Sequence, residues 1–192
     1  MNTLIFATNN QNKIEEVRKI LNNQFNILSL KEAGINIDIP EPHETLEANA
    51  LEKSSTIYRL TKGDCFSEDT GLEVFALNGE PGVRSARYAG EKASNEDNIE
   101  KLLRKMVDIE DRKARFRTII SLIINGKENQ FEATCEGTIL KERRGGKGFG
   151  YDSVFMPEGS FRSFAEMTIE EKNIYSHRKK AIKQLISFLQ SV

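Results

Sequence analysis

Thr3-Leu4-Ile5-Phe6-Ala7-Thr8-Asn9-Asn10-Gln11-Asn12-Lys13 runs from an apolar stretch straight into a polar, Asn-rich turn. Thr3 to Ala7 reads as a short buried strand. Asn12 to Leu21 reads as a helix, with Ile14, Val17, Ile20 and Leu21 on one face. A strand that feeds a helix through a tight polar turn opens an α/β fold. Outward from there, Phe25 to Leu30 predicts a second strand, and Ile35 to Ile39 alternates apolar and polar like a half-buried one, ended by Pro40 and Pro42. Thr45 to Thr61 predicts a helix with Leu46, Ala50, Ile57 and Leu60 inward. Cys65 to Glu68 and Leu72 to Leu77 read as strands around a break at Asp69-Thr70-Gly71.

Further along, Ser94 caps a helix reaching about Met106, with Asp97 at its third position. Ala114 to Ile124 and Glu128 to Leu140 form a hairpin across Asn125-Gly126, a dipeptide suited to the two positive φ angles of a tight hairpin turn. Thr168 caps a last helix, with Glu171 completing a capping box and Ile182, Leu185, Ile186 and Leu189 on its core face. Strand–helix alternation beside a hairpin predicts a mixed sheet.

The chain has 192 residues, 38% apolar and 30% charged, enough for one sizeable domain or two intimate lobes. A net charge of −1 gives no bulk attraction to nucleic acid or anionic lipid. No apolar run approaches the ~18 residues of a membrane span, and the first residues lack the basic and apolar segments of a signal peptide. Cys65 and Cys135 are expected as reduced, buried thiols in a cytoplasmic protein. With only His43 and His177 as imidazoles, any metal is expected on oxygen ligands.

Five segments carry unusual chemistry. Thr8 to Lys13 joins a strand to a helix start, where backbone N–H groups and the helix dipole favour anions. Glu68-Asp69-Thr70-Gly71 sets two carboxylates side by side, a cost that a divalent cation relieves. Glu41 is stiffened by Pro40 and Pro42, with Lys53 on the helix that follows. Gly145-Gly146-Lys147-Gly148-Phe149-Gly150-Tyr151-Asp152 offers close backbone approach, two flat rings and a carboxylate. Lys172 and Ser176-His177-Arg178 supply donors for a carbonyl or phosphate. Four of them also have a plain structural reading: a capped polar turn, a surface Asp-Gly turn, an exposed loop glutamate, and a solvated basic face.

Taken in order, these segments resemble the inosine-triphosphate pyrophosphatase family over nearly the whole chain. The matching stretches are the T-x-N-x-x-K start at Thr8 to Lys13, Glu41, and the N-A-x-x-K helix of Asn49, Ala50 and Lys53. They continue through Glu68-Asp69-Thr70-Gly71, Gly79-Glu80-Pro81-Gly82, Ser85-Ala86-Arg87-Tyr88, Gly148 to Asp152, Glu171-Lys172-Asn173 and Ser176-His177-Arg178. The resemblance implies an α/β fold with an elongated mixed sheet and flanking helices, two lobes and a cleft between them. It also implies a homodimer, Mg²⁺, and hydrolysis of noncanonical purine nucleoside triphosphates (ITP, dITP, XTP) to monophosphate and pyrophosphate. By matching positions, Asp69 is the proton acceptor, and Glu41, Asp69 and Glu68 hold the metal. Thr8, Asn9, Asn10, Gln11, Asn12, Lys13 and Lys53 hold the phosphates, and Thr70 is a further substrate-binding residue. Phe149, Gly150, Tyr151, Asp152, Lys172, His177 and Arg178 bind base and sugar. Lys147 and Ser153 depart from the family's glycine and proline. Two other readings stand beside this one. One is a non-catalytic nucleotide sensor or RNA-binding module using Arg143 to Lys147; the other is a pyrophosphatase of pyrimidine triphosphates.

Overall fold

The computed structural model of the protein describes residues 3–21 and 24–191. Among them, seven strands form one mixed sheet: β1 (Thr3–Phe6), β2 (Asn26–Ser29), β3 (Cys65–Val74), β4 (Pro81–Gly82), β5 (Lys113–Ile124), β6 (Lys127–Ile139) and β7 (Phe155–Pro157). The strand order is β2-β1-β3-β5-β6-β7, with β4 paired to β3. β1 runs parallel to β2 and β3, whereas β3–β4 and β6–β7 are antiparallel. The helices are α1 (Gln11–Leu21), α2 (Leu46–Thr61), α3 (Asn95–Lys105), α4 (Ile169–Tyr175) and α5 (His177–Leu189). No helix among the described residues is long and apolar enough to cross a membrane.

Local chemistry explains most boundaries. Thr45 caps α2 by accepting from Ala48 N, and Lys62 closes it in the left-handed region. Ser94/Asp97 and Thr168/Glu171 form the expected capping boxes. Asn125 (φ 49°) and Gly126 (φ 74°) make the β5–β6 turn.

Four expectations change. Ile35, Ile37 and Ile39 do alternate, but they pack on a core cluster without a strand partner. Leu60 is exposed instead of inward. The last helix is two helices, α4 and α5, parted at Ser176 (ψ 124°). β3 does not break at Asp69-Thr70-Gly71 but continues to Val74. Gly71 is there for close approach: a Cβ on it would lie 2.6 Å from the Gly82 carbonyl oxygen of β4.

The chain divides into two compact units. The first comprises Met1–Asp69, Thr118–Ala133 and Arg178–Val192; the second comprises Thr70–Arg117 and Thr134–His177. The first is built on Leu4, Phe6, Ile14, Val17, Phe66, Ile120 and Ile182, with the Phe6 and Phe66 rings stacked at 4.5 Å. The second is built on Leu72, Ile99, Leu102, Phe116, Tyr151, Phe155 and Phe164. In it, Arg112 ties the end of α3 to the end of β6 by donating to the carbonyls of Met106, Ile139 and Leu140 at 2.6–2.9 Å. Cys65 and Cys135 are free and buried, and burial pushes the Cys65 thiol up to about 12.

Candidate active site

In the first unit, three elements converge on one lysine. Lys53, on the buried face of α2, donates to Glu41 Oε1 at 2.5 Å, to Asp69 Oδ1 at 2.9 Å and to the Glu68 carbonyl at 3.0 Å. α2 is tied to β3 beside this point by Ser67, whose hydroxyl donates to the Ala50 carbonyl at 2.5 Å. Burial disfavours charge on Lys53, but Asp69 and Glu41 outweigh it and hold the ammonium above the ordinary lysine range. Asp69 fares differently. Burial raises its carboxyl above the ordinary aspartate value, Glu41 adds to the rise, and Lys53 and Lys13 oppose it. Lys53 therefore stays charged, and the Asp69 carboxyl holds a proton more readily than an ordinary aspartate. Its second oxygen, Oδ2, is buried without a hydrogen-bond partner among the described residues.

Glu68 does not join this group through its side chain. Neighbouring residues of a strand point to opposite faces, so the two carboxylates expected in a turn are separated by the continuous β3. The Glu68 carboxylate is held by Arg178 (Nε at 2.6 Å and Nη2 at 2.8 Å), with Lys13 at 3.4 Å. Arg178 also donates to Glu16 on α1. Burial works against this guanidinium's charge, and Glu68 and Glu16 together hold it firmly protonated. Expected beside a base, the Arg178 guanidinium instead joins two carboxylates of the first unit. Glu16 is the residue that sequence reasoning missed. Its only signal is a charge lying between the buried Ile14 and Val17 of α1.

The Thr8 to Lys13 segment uses part of its polarity on itself. Asn10 caps α1 by accepting from Lys13 N at 3.2 Å, and Thr8 accepts from Asn10 N at 3.2 Å. Asn9 donates to the Ile37 carbonyl at 3.1 Å. Gln11 and Asn12 are exposed at the helix start, and Lys13 is half-buried.

In the second unit, Asp152 organises the glycine-rich turn. It accepts from Lys172 Nζ at 2.7 Å and from Phe149 N at 3.0 Å through one oxygen. Gly148 (φ 78°) fits only because it lacks a Cβ, which would sit 2.1 Å from that oxygen. Lys172 lies 5.3 Å from the Phe149 ring centroid. Of the two rings expected to face a base, Phe149 is half-buried beside the lysine, next to Gly150. Tyr151 turns into the core and donates to the Ser85 carbonyl at 2.9 Å. His177 stacks on Phe116, centroids 4.7 Å apart, and Thr70 is half-buried on β3. Lys147 and Ser153 enter the turn through main-chain atoms, Lys147 N to the Ala165 carbonyl and Arg144 N to the Ser153 carbonyl. These bonds are open to most side chains.

Residues 4–188 match the model of the Ham1 family. The chain belongs to that family. A dITP/XTP pyrophosphatase of Porphyromonas gingivalis is 50% identical over 190 residues, covering 98% of both chains. One from Flavobacterium psychrophilum is 47% identical over 188 residues, covering 98% of this chain and 99% of its own. Among solved structures, the Staphylococcus aureus Ham1 protein superposes with a TM-score of 0.89 at 38% identity, covering 99% of both chains. A HAM1 protein from Coxiella burnetii gives 0.91 at 33% identity over the full length of both. The family thus shares the mixed sheet and flanking helices described above.

Proposed function

We propose that the chain hydrolyses noncanonical purine nucleoside triphosphates (ITP, dITP and XTP) to the monophosphate and pyrophosphate. The observation that carries this is the Glu41–Lys53–Asp69 group with its unpartnered Asp69 Oδ2, in a chain akin throughout its length to dITP/XTP pyrophosphatases.

The donor chemistry fits Mg²⁺. Among the described residues no three His, Cys, Asp or Glu side chains converge on one point. Mg²⁺, however, is commonly bound by one or two carboxylates, with waters and substrate phosphates completing six oxygens. Glu41 and Asp69 are the two that would hold it, and Lys53 already marks the preference of this spot for positive charge. When bound, the ion neutralises charge on the phosphates. Asp69 orients the attacking water and accepts its proton through Oδ2, the oxygen that Lys53 leaves open. Lys13, Lys53 and the α1 N-terminus balance the charge of the leaving pyrophosphate. Thr8, Asn9, Asn10, Gln11, Asn12 and Thr70 position the chain of phosphates. Phe149 stacks on the purine, with Gly150, Tyr151, Asp152, Lys172 and His177 shaping its surroundings. Arg178 acts through Glu68.

We also propose a homodimer acting in the cytoplasm on free nucleotides, without nucleic-acid or membrane partners. Two buried free thiols fit a reducing compartment. Light scattering should return about twice the 21.8 kDa chain mass.

Product analysis on a panel of nucleoside triphosphates tests the reading. With Mg²⁺, ITP, dITP or XTP should yield pyrophosphate and no diphosphate nucleotide, and EDTA should abolish turnover. ATP should be hydrolysed at least ~10²-fold less efficiently. Phosphate as the primary product, or equal efficiency on ATP, would refute it.

A further inference from the structure

Glu41 lies in a segment without regular secondary structure. Residues 35–45 form neither helix nor strand. Pro40 and Pro42, on either side of Glu41, have no N–H to donate, which leaves the main chain few donors to pin the segment there. Beside the packing of Ile35, Ile37 and Ile39 on the core, two asparagine side chains hold its main chain on either side of Glu41. Upstream, Asn9 donates to the Ile37 carbonyl at 3.1 Å. Downstream, Asn49 grips residue 43 at both main-chain atoms: its Oδ1 accepts from His43 N at 2.9 Å, and its Nδ2 donates to the His43 carbonyl at 3.1 Å.

Asn49 is fully buried, at 0% exposure, so its amide has one environment and one orientation. It also lies one turn before Lys53 on α2, on the same face of the helix. A single helix face therefore carries both the clamp that fixes the Glu41 segment and the ammonium that Glu41 meets. Any slip of residue 43 carries Glu41, two residues away, off the point where it meets Asp69's partner.

We infer that Asn49 is a positioning residue for the cation: its amide locks the Pro40–Thr45 segment so that Glu41 is presented beside Asp69 before metal and nucleotide arrive. This rests on the proposal that Glu41 and Asp69 hold Mg²⁺. Groups that orient metal-binding side chains typically contribute 10–100-fold to affinity.

Mn²⁺ binding to the nucleotide-free protein, followed by electron paramagnetic resonance, tests this without turnover. The variants are Asn49→Ala, Glu41→Gln, the two together, and Asn49→Asp, with circular dichroism reporting the fold. Asn49→Ala should weaken Mn²⁺ binding about 10–100-fold, and excess Mg²⁺ should restore kcat close to that of the unmodified enzyme. A purely structural loss would not be restored by metal. Because Asn49 acts through Glu41, the double variant should bind Mn²⁺ no more weakly than Glu41→Gln alone. Should Asn49→Ala fail to fold, Asn49→Asp keeps the acceptor for His43 N and replaces the donor that faces the His43 carbonyl, so an intermediate weakening is expected. Unchanged Mn²⁺ binding in the folded variant, or losses that multiply in the double variant, overturns the inference and leaves the metal site standing. An unmodified enzyme that binds no Mn²⁺ overturns the metal site and this inference together.

Discussion

Lys53 and Lys172 are both buried lysines paired with an aspartate at hydrogen-bond distance, 2.9 Å to Asp69 and 2.7 Å to Asp152. Their surroundings make them different devices. Lys172–Asp152 sets one ammonium against one carboxylate at hydrogen-bond distance, and the same Asp152 oxygen also closes the turn through Phe149 N. Lys53 faces two carboxylates, and one oxygen of Asp69 has no hydrogen-bond partner among the described residues. One pair finishes a loop. The other sets two carboxylates on one lysine and leaves a buried aspartate oxygen unsatisfied, which packing alone does not require and which a cation or a proton would satisfy.

The sharpest way to break this contrast is to remove each lysine in turn. Taking one partner from a buried ion pair typically costs ~3–5 kcal/mol, so Lys53→Met and Lys172→Met should both unfold at markedly lower denaturant. Only Lys53→Met leaves two carboxylates facing each other. Its stability should recover with added Mg²⁺ by clearly more than that of Lys172→Met. An equal response of the two variants to Mg²⁺ would erase the distinction.

The next effect is catalytic. Asp69→Asn keeps shape and removes the proton acceptor, and kcat for ITP should fall by roughly 10²-fold or more. Stability should hold or rise, because burial already disfavours the charged carboxylate. The sign follows from the raised value in the folded state: ionising Asp69 draws stability away as pH climbs through that value, and the amide is spared this. Full activity of Asp69→Asn would remove it from the chemistry.

Much of this contrast is legible in the amino-acid sequence. The hairpin at Asn125-Gly126 and the boxes at Ser94 and Thr168 are local rules satisfied locally. Thr8 to Lys13, Glu41, Lys53 and Asp69 stand out as a group because their chemistry is complementary. What escapes such a reading depends on distance along the chain. Arg178 meets Glu68 across 110 positions and Glu16 across 162, and no periodicity encodes such a meeting. Asp69-Thr70-Gly71 suggests a turn because Gly most often signals one. Here Gly71 admits the backbone of β4, so the strand runs on and parts Glu68 from Asp69. Tyr151 suggests a ligand face because it is an aromatic residue beside glycines, yet its hydroxyl finds Ser85 within the core.

On the Lys172 side the expected effects are smaller. Phe149→Ala removes the half-buried ring beside Lys172 and should lower kcat/KM for ITP by the equivalent of ~1–3 kcal/mol, the usual scale of base–aromatic stacking. Its Mg²⁺ dependence should not move, since the carboxylates proposed to hold the ion, Glu41 and Asp69, are unchanged. A shift in Mg²⁺ requirement would mean that the two lysine groups are not separate devices.

The finest test compares two glycines of one loop. Gly148 holds φ at 78°, a conformation that costs an L-residue about 1–2 kcal/mol. A methyl there also collides with the Asp152 oxygen that serves Lys172 and Phe149 N. Asp152 cannot retreat without surrendering both bonds. Gly148→Ala should therefore lower stability and weaken ITP binding together, while leaving Mn²⁺ binding to the nucleotide-free protein unchanged. Gly146, two residues earlier, has open space where a Cβ would stand and no positive φ. Gly146→Ala should fall within about 0.5 kcal/mol of the unmodified protein, the ordinary range of a surface substitution. The pair isolates the Asp152 clamp from the flexibility of the loop as a whole. If both variants behave alike, flexibility governs this loop, and the closed character assigned to the Lys172–Asp152 pair is lost.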